Sequence, residues 1–250
     1  MEKLIEFKNL RISLGDRILY DGLNLCVNKT DRFIFLGPNG AGKSLLLELI
    51  SLGYCNELAQ RYEGLKVSGT INDADGNNLL DPSVERTIAY AQQEEDFYKG
   101  DTVIQGASTA CAGVGIELDE DRLDYLLDKF SLKNAKKKKI EKSFSYGERK
   151  IIHLIFTILK LRATDILLLD EPLNHLSFKN SQVFNEVINE EISRNPNLAV
   201  IMVSHCRAMD FTRKAMIYDV STKSIKTSPY ESYNCFRDEI GVELGCNTCT

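Results

Sequence analysis

Arg32-Phe33-Ile34-Phe35-Leu36-Gly37-Pro38-Asn39-Gly40-Ala41-Gly42-Lys43-Ser44-Leu45-Leu46-Leu47-Glu48-Leu49-Ile50 is the stretch that decides the fold. Residues 32–36 form an almost wholly apolar run, the pattern of a strand buried on both faces of a parallel sheet. Leu45, Leu46, Leu47, Leu49 and Ile50 suit a helix, and Gly53 marks its stop. Between them, Gly37 to Ser44 fits G-x-x-x-x-G-K-[ST] at every fixed position, in the strand-loop-helix context that the pattern requires. Glycines in such a loop let backbone N–H groups turn inward around phosphate oxygens, and the helix N-terminus adds the positive end of its dipole. Lys43 is then placed to neutralise β- and γ-phosphates, and the Ser44 hydroxyl to ligate Mg²⁺.

A second apolar run, Ile166-Leu167-Leu168-Leu169, leads into Asp170-Glu171. A buried strand that delivers two carboxylates at its C-terminal edge places them where α/β sheets bind ligands. Asp170 is expected to hold the magnesium ion, directly or through water. Glu171 is expected to polarise the attacking water as a general base, a role typically worth about 10² to 10⁴ in rate. By themselves, adjacent acids after a strand are usually a solvated strand end; beside a phosphate loop they read as its partner.

Outward from these two runs, the first 36 residues read as short strands, at 4–7, 10–14, 17–20 and 23–27, with a Gly15-Asp16 turn. A further β region is expected at 66–71 and a short strand at 87–91. From Asp101 to Leu161 the character is helical: Leu123, Leu126, Leu127 and Phe130 make one apolar stripe, and Ile151, Ile152, Ile155, Ile158 and Leu159 make another. Residues 198–203 form another buried strand, preceded by an amphipathic helix near 180–192. Strand and helix alternate around a parallel sheet, with a helical insertion in the middle, so the class is α/β. The run Lys136 to Lys139 reads as a solvated loop face.

Composition narrows the function classes. The 250 residues are 43% hydrophobic, enough for a full core without disulfide or metal staples. With 36 acidic against 31 basic residues the net charge is -5, which counts against a coat of nucleic acid. No window approaches the ~20 apolar residues of a membrane span, the richest being broken by His153 and Lys160. The first residues lack a signal-peptide run, which predicts a cytoplasmic chain. Seven scattered cysteines fit reduced thiols; Cys246 and Cys249 have metal-like spacing but no second pair nearby, and read as a passive tail.

The order of motifs resembles the ATP-binding cassette (ABC) ATPases from about Leu4 to Ala215. Gln93 resembles the family's Q-loop glutamine, which contacts Mg²⁺, with Gln92 as an adjacent competitor. Phe144-Ser145-Tyr146-Gly147-Glu148-Arg149 is similar to the family signature and opens a predicted helix. His205, after the last core strand, resembles the switch histidine, and Asn174-His175-Leu176-Ser177 falls at the D-loop, with wording similar to the ABC-F translation factors. The resemblance implies a catalytic set of Glu171, His205, Gln93 and Lys43. It implies that Gly37, Pro38, Asn39, Gly40, Ala41, Gly42, Lys43, Ser44 and Leu45 hold ATP, and that Ser44, Gln93 and Asp170 hold Mg²⁺. Ser145 and the backbone at Gly147 are expected to touch the γ-phosphate of ATP held by a second cassette, in a homo- or heterodimer.

By the same resemblance the chain is one ABC domain: a β subdomain and nucleotide-binding core at about 1–93 and 163–230, a helical subdomain at about 94–162 and a tail at about 231–250. Three positions depart from the family. Leu14 stands where an aromatic often stacks on adenine, Leu45 where a threonine often follows the loop serine, and Tyr146 where the signature has its first glycine. None removes Lys43, Ser44, Asp170, Glu171 or His205, so the expectation is an active, slow ATPase. The alternative is a nucleotide switch that binds ATP and barely hydrolyses it. The implied role is the motor subunit of a transporter, on the cytoplasmic face of a multi-span membrane partner docked near Gln93 to Thr102. A soluble factor of the ribosome-acting class is the other reading, although those proteins usually carry two cassettes.

Overall fold

The computed structural model describes residues 2–36, 39–93, 97, 100–203, 216–219 and 224–227. Its elements, in chain order, are β1 (Lys3–Leu14), β2 (Arg17–Asn28), β3 (Arg32–Leu36), α1 (Lys43–Leu52), α2 (Asn56–Arg61), β4 (Leu65–Asn72), β5 (Ala89–Ala91), α3 (Val103–Ala112), α4 (Glu120–Lys129), α5 (Ile140–Ser143), α6 (Tyr146–Leu159), β6 (Ile166–Asp170), α7 (Phe178–Arg194), β7 (Ala199–Val203), β8 (Met216–Asp219) and β9 (Ser224–Thr227). The fold is α/β, with parallel strands, an N-terminal antiparallel sheet and a helical segment, α3 to α6, between β5 and β6. The described residues form two compact units. One takes in residues 2–86 with β7, β8 and β9, and the other residues 87–198.

In the first unit, β1 is the middle strand of an antiparallel sheet ordered β2-β1-β4. The short strands expected at 4–7 and 10–14 are one strand, and those at 17–20 and 23–27 are another. The apparent break in β1 is a bulge. Phe7 pairs with Leu25 and Leu10 with Leu23, so an extra residue switches the inward face from Ile5 and Phe7 to Leu10 and Ile12, all buried. Asn9 takes the left-handed conformation there (φ 47°), and the Asn24 side chain caps its backbone N–H at 3.0 Å. Opposite the bulge, a Cβ on Gly69 would lie 2.4 Å from the Asn9 carbonyl oxygen, so only glycine fits.

The same unit contains the parallel layer expected from the opening stretch. β3 lies between β7 and β8, parallel to both, and β9 closes the edge antiparallel to β8. Phe33, Ile34 and Phe35 of β3 and all of β7 are buried, as strands covered on both faces require. α1 buries Leu45, Leu46, Leu47, Leu49 and Ile50 and ends at Gly53.

In the second unit β5 runs parallel to β6. Asp119 caps α4 by accepting the Arg122 N–H, and Leu123, Leu126, Leu127 and Phe130 are buried as the stripe predicts. Ion pairs of Arg122 with Glu191 and of Lys129 with Glu190 tie α4 to α7. At Gly106 of α3 an added Cβ would meet the Phe156 ring at 2.7 Å, so α3 seats closely on α6. Of the basic run, Lys137 to Lys139 are exposed, whereas Lys136 is half-buried and pairs with Glu120 and Asp124 at 2.9 and 2.8 Å. No helix among the described residues is long and apolar enough to cross a membrane. Cys26, Cys55 and Cys111 are free thiols; Cys206, Cys235, Cys246 and Cys249 lie outside the described residues.

Candidate functional site

The phosphate loop belongs to the first unit. Gly37 and Pro38 lie outside the described residues, and Asn39 and Gly40 are exposed. Gly40 (φ 75°) and Gly42 (φ 90°) are both left-handed. Gly42 is the N-cap of α1, and no side chain caps that end. An added Cβ there would sit 2.9 Å from Leu19 Cδ1 and 3.2 Å from the Tyr20 ring, so glycine is required by both dihedral and space. The first intrahelical bond runs from the Leu46 N–H to the Gly42 carbonyl, which leaves the N–H groups of Lys43, Ser44 and Leu45 ahead of it at the positive end of the helix.

The side chains divide by burial. Ala41 and Lys43 are buried, Ser44 is half-buried, and Leu45 is 2% exposed. Leu45 therefore packs into the core where a threonine would present a hydroxyl, and only its backbone N–H faces the loop chemistry. Leu14 is half-buried in the pair with Arg17 and Leu65 at the strand ends. The Arg17 guanidinium stands over Gly40, 3.6 Å from where a Cβ would be. Nothing in the pattern of motifs singled out that cation.

In the second unit, β6 ends at Asp170, which is 1% exposed, and Glu171 follows in the left-handed conformation (φ 45°). The Asn174 side-chain amide donates to the Glu171 carboxylate, and the Asn174 N–H donates to the Glu171 carbonyl at 3.2 Å. His175 is left-handed as well (φ 65°), so both ends of the 171–175 turn lie in a region that side chains rarely adopt. Ser177, where the resemblance expects an aspartate, is the N-cap of α7 and accepts the Asn180 N–H. A short oxygen-bearing side chain is what a cap needs, and serine and aspartate both supply one.

Ser145 is the N-cap of α6 in a capping box. Glu148 Oε2 accepts from the Ser145 backbone N–H and hydroxyl, each at 2.8 Å, and these bonds hold the Glu148 carboxyl below its usual range. Tyr146 is 43% exposed, and its ring meets the His175 ring edge-on, 5.0 Å between centroids and 87° between planes. Gly147 lies against the same turn, where an added Cβ would come within 3.1 Å of the His175 carbonyl.

Gln93 is exposed and Gln92 half-buried. Lys150, one turn into α6 and fully buried, donates to the carbonyls of both, at 2.9 Å to Gln92 and 2.7 Å to Gln93. The contacts of Lys150 with Gln92 and Gln93, of Asn174 with Glu171 and of Tyr146 with His175 were all missed by motif reading. Within this unit the structure brings together the turn at 145–147, the turn at 171–175 and Glu171, and it holds the backbone of Gln92 and Gln93 from α6. His205 lies outside the described residues.

Ser44, Asp170 and Gln93 offer hard oxygen donors, the type that Mg²⁺ takes. No group of three or more His, Cys, Asp or Glu side chains among the described residues makes a protein-only metal site.

Residues 20–174, more than half of the chain, match the family model for ABC transporters. Among curated proteins, the chain is 29% identical over 204 residues to ABC transporter F family member 2 of Arabidopsis thaliana, covering 82% of this chain and 26% of that protein. It is 26% identical over 204 residues to a lantibiotic transport ATP-binding protein of Streptococcus pyogenes, covering 81% of this chain and 80% of that one. The chain thus spans about a quarter of the length of the first curated relatives it matches. Among solved structures, an ATP-binding subunit of an ABC transporter superposes with a TM-score of 0.72 at 21% identity, over 97% of this chain and 95% of that one, which shows the fold.

Proposed function

The chain belongs to the ABC transporter family of ATP-binding domains, and on that premise we propose that it hydrolyses ATP as a cassette that dimerises around two ATP molecules and drives a membrane transporter. The observation that carries this reading is the left-handed glycine loop at the uncapped head of α1, with Lys43 and Ser44 as the first helical residues. The loop N–H groups and Lys43 bind the phosphates, and buried Leu45 contributes through its backbone. Mg²⁺, when bound, neutralises phosphate charge; Ser44, Asp170 and Gln93 are the residues that hold it. Glu171 accepts the proton of the attacking water, with His205 as its switch partner. Ser145 and the Gly147 backbone bind the γ-phosphate held by the other cassette. The domain plan expected from the sequence, with a helical subdomain at about 94–162, belongs to this proposal.

A full site then needs a second cassette, homomeric or heteromeric, and ATP closes the pair while hydrolysis opens it. The match to a lantibiotic transport ATP-binding protein over 80% of its length supports the transporter role, and a multi-span membrane partner is part of the same proposal. The ABC-F relatives and the Asn174-His175-Leu176 wording favour a second reading, a ribosome-associated factor. Net charge of -5 offers little for rRNA. The two are separated by co-purification in detergent: a multi-span membrane protein retained with the chain supports transport. Salt-sensitive sedimentation with ribosomes and no membrane partner overturns it. Steady-state ATP hydrolysis by the purified chain tests the enzyme claim, and a chain that binds ATP with no turnover contradicts it.

A further inference from the structure

We propose that Tyr146, standing where the family signature has glycine, is a positioning residue for Glu171 and acts through His175 and Asn174. The proposal rests on the reading of Glu171 as the base. The chain of contact is short and lies wholly within the second unit. The Tyr146 ring meets the His175 ring edge-on at 5.0 Å, the Gly147 backbone lies against the His175 carbonyl, and Asn174, the next residue back, donates to the Glu171 carboxylate.

Backbone geometry says why a ring contact matters here. Glu171 and His175 are both left-handed non-glycine residues, conformations that persist only where the surroundings over-determine them. Asn174 bonds over-determine the Glu171 end through the carboxylate and the 3.2 Å backbone bond. At the His175 end the ring lies against Tyr146 and the carbonyl against Gly147. The Arg149 guanidinium lies 5.8 Å from the Tyr146 ring centroid and adds a cation–π contact to that ring.

The functional consequence follows from what the two ends serve. On the proposed function, the signature turn faces the nucleotide of the other cassette, whereas Glu171 serves the nucleotide of its own. A ring pair between them lets occupation of one site set the aim of the base at the other, and a glycine at position 146 has no side chain with which to do so. Tyr146 is 43% exposed, so its ring supports little of the core. An edge-to-face pair shifts an equilibrium by about 3- to 10-fold, and the effect on turnover has that scale.

The test is steady-state ATP hydrolysis by the full chain, with thermal unfolding alongside, for the parent, Tyr146→Ala, Tyr146→Phe, Asn174→Ala, the Tyr146→Ala/Asn174→Ala double variant and Glu171→Gln. Tyr146→Ala is expected to lower kcat about 3- to 10-fold, with KM for ATP and the melting temperature little changed, and Tyr146→Phe to keep parental kcat. The double variant is expected to be no slower than Asn174→Ala, because both break one path. Parental kcat in Tyr146→Ala, or losses that multiply in the double variant, overturn the relay while Glu171 stands as the base. An inactive parent, or a Glu171→Gln variant as fast as the parent, overturns the reading of Glu171 itself, and the relay with it.

Discussion

At the scale of single residues, function turns on charge held in fixed places. Lys43 is buried at the head of α1, and charge-assisted bonds to phosphate are worth about 1.5–3 kcal/mol. Lys43→Ala is therefore expected to weaken ATP binding roughly 10- to 100-fold, checked by calorimetry; parental affinity contradicts its role. A second residue makes a prediction about pH. His153 lies in the apolar face of α6, its Nε2 has no hydrogen-bond partner among the described residues, and its pKa is lowered to about 3, first by burial and then by the charges of Lys150 and Lys160. The unfolded chain binds a proton near the usual 6.5 and the folded one does not, so the neutral ring leaves stability whole above pH 6.5. Stability is lost progressively as pH falls toward 3, by a few kcal/mol in order of magnitude. The urea midpoint of the parent is expected to drop between pH 7 and 5, and that of His153→Leu to drop less. Equal slopes contradict the assignment.

At the scale of elements, α6 organises the second unit's candidate site: Ser145 caps it, Tyr146 and Gly147 contact His175, and Lys150 holds the carbonyls of Gln92 and Gln93. Lys150→Met keeps the buried volume but leaves those carbonyls without their donor, at about 1–3 kcal/mol each. The variant is expected to unfold at lower urea and to need more Mg²⁺ for half-maximal hydrolysis, because Gln93 is no longer held. An unchanged Mg²⁺ requirement contradicts that coupling. Much of this element was legible in advance: the stripe Ile151, Ile152, Ile155, Ile158 and Leu159 names the buried face, and the run from Phe144 to Arg149 opens the helix. So did the run from Arg32 to Ser44 announce strand, loop and helix. The bulge at Asn9 was not legible as such, because a switch of inward face from Phe7 to Leu10 looks in one dimension like the end of a strand. The contacts of Lys150 with Gln92 and Gln93, 58 and 57 residues away, were hidden for a different reason: one sequence carries spacing along the chain and no record of proximity across it.

At the scale of the whole molecule, the proposed function requires that a cassette with one phosphate loop and one signature turn complete its chemistry with a second cassette. The central claim is that ATP assembles the pair and that Glu171 ends the assembled state. Glu171→Gln removes the base, with an expected loss in turnover of about 10² or more, and keeps the phosphate loop that binds ATP. Light scattering of purified Glu171→Gln chain with and without Mg²⁺-ATP is the direct measurement. The mass is expected to double from 28.2 kDa when ATP is added, while the parent returns to monomer as it hydrolyses. A Glu171→Gln chain that stays at 28.2 kDa in saturating ATP, or that hydrolyses ATP at the parental rate, contradicts it.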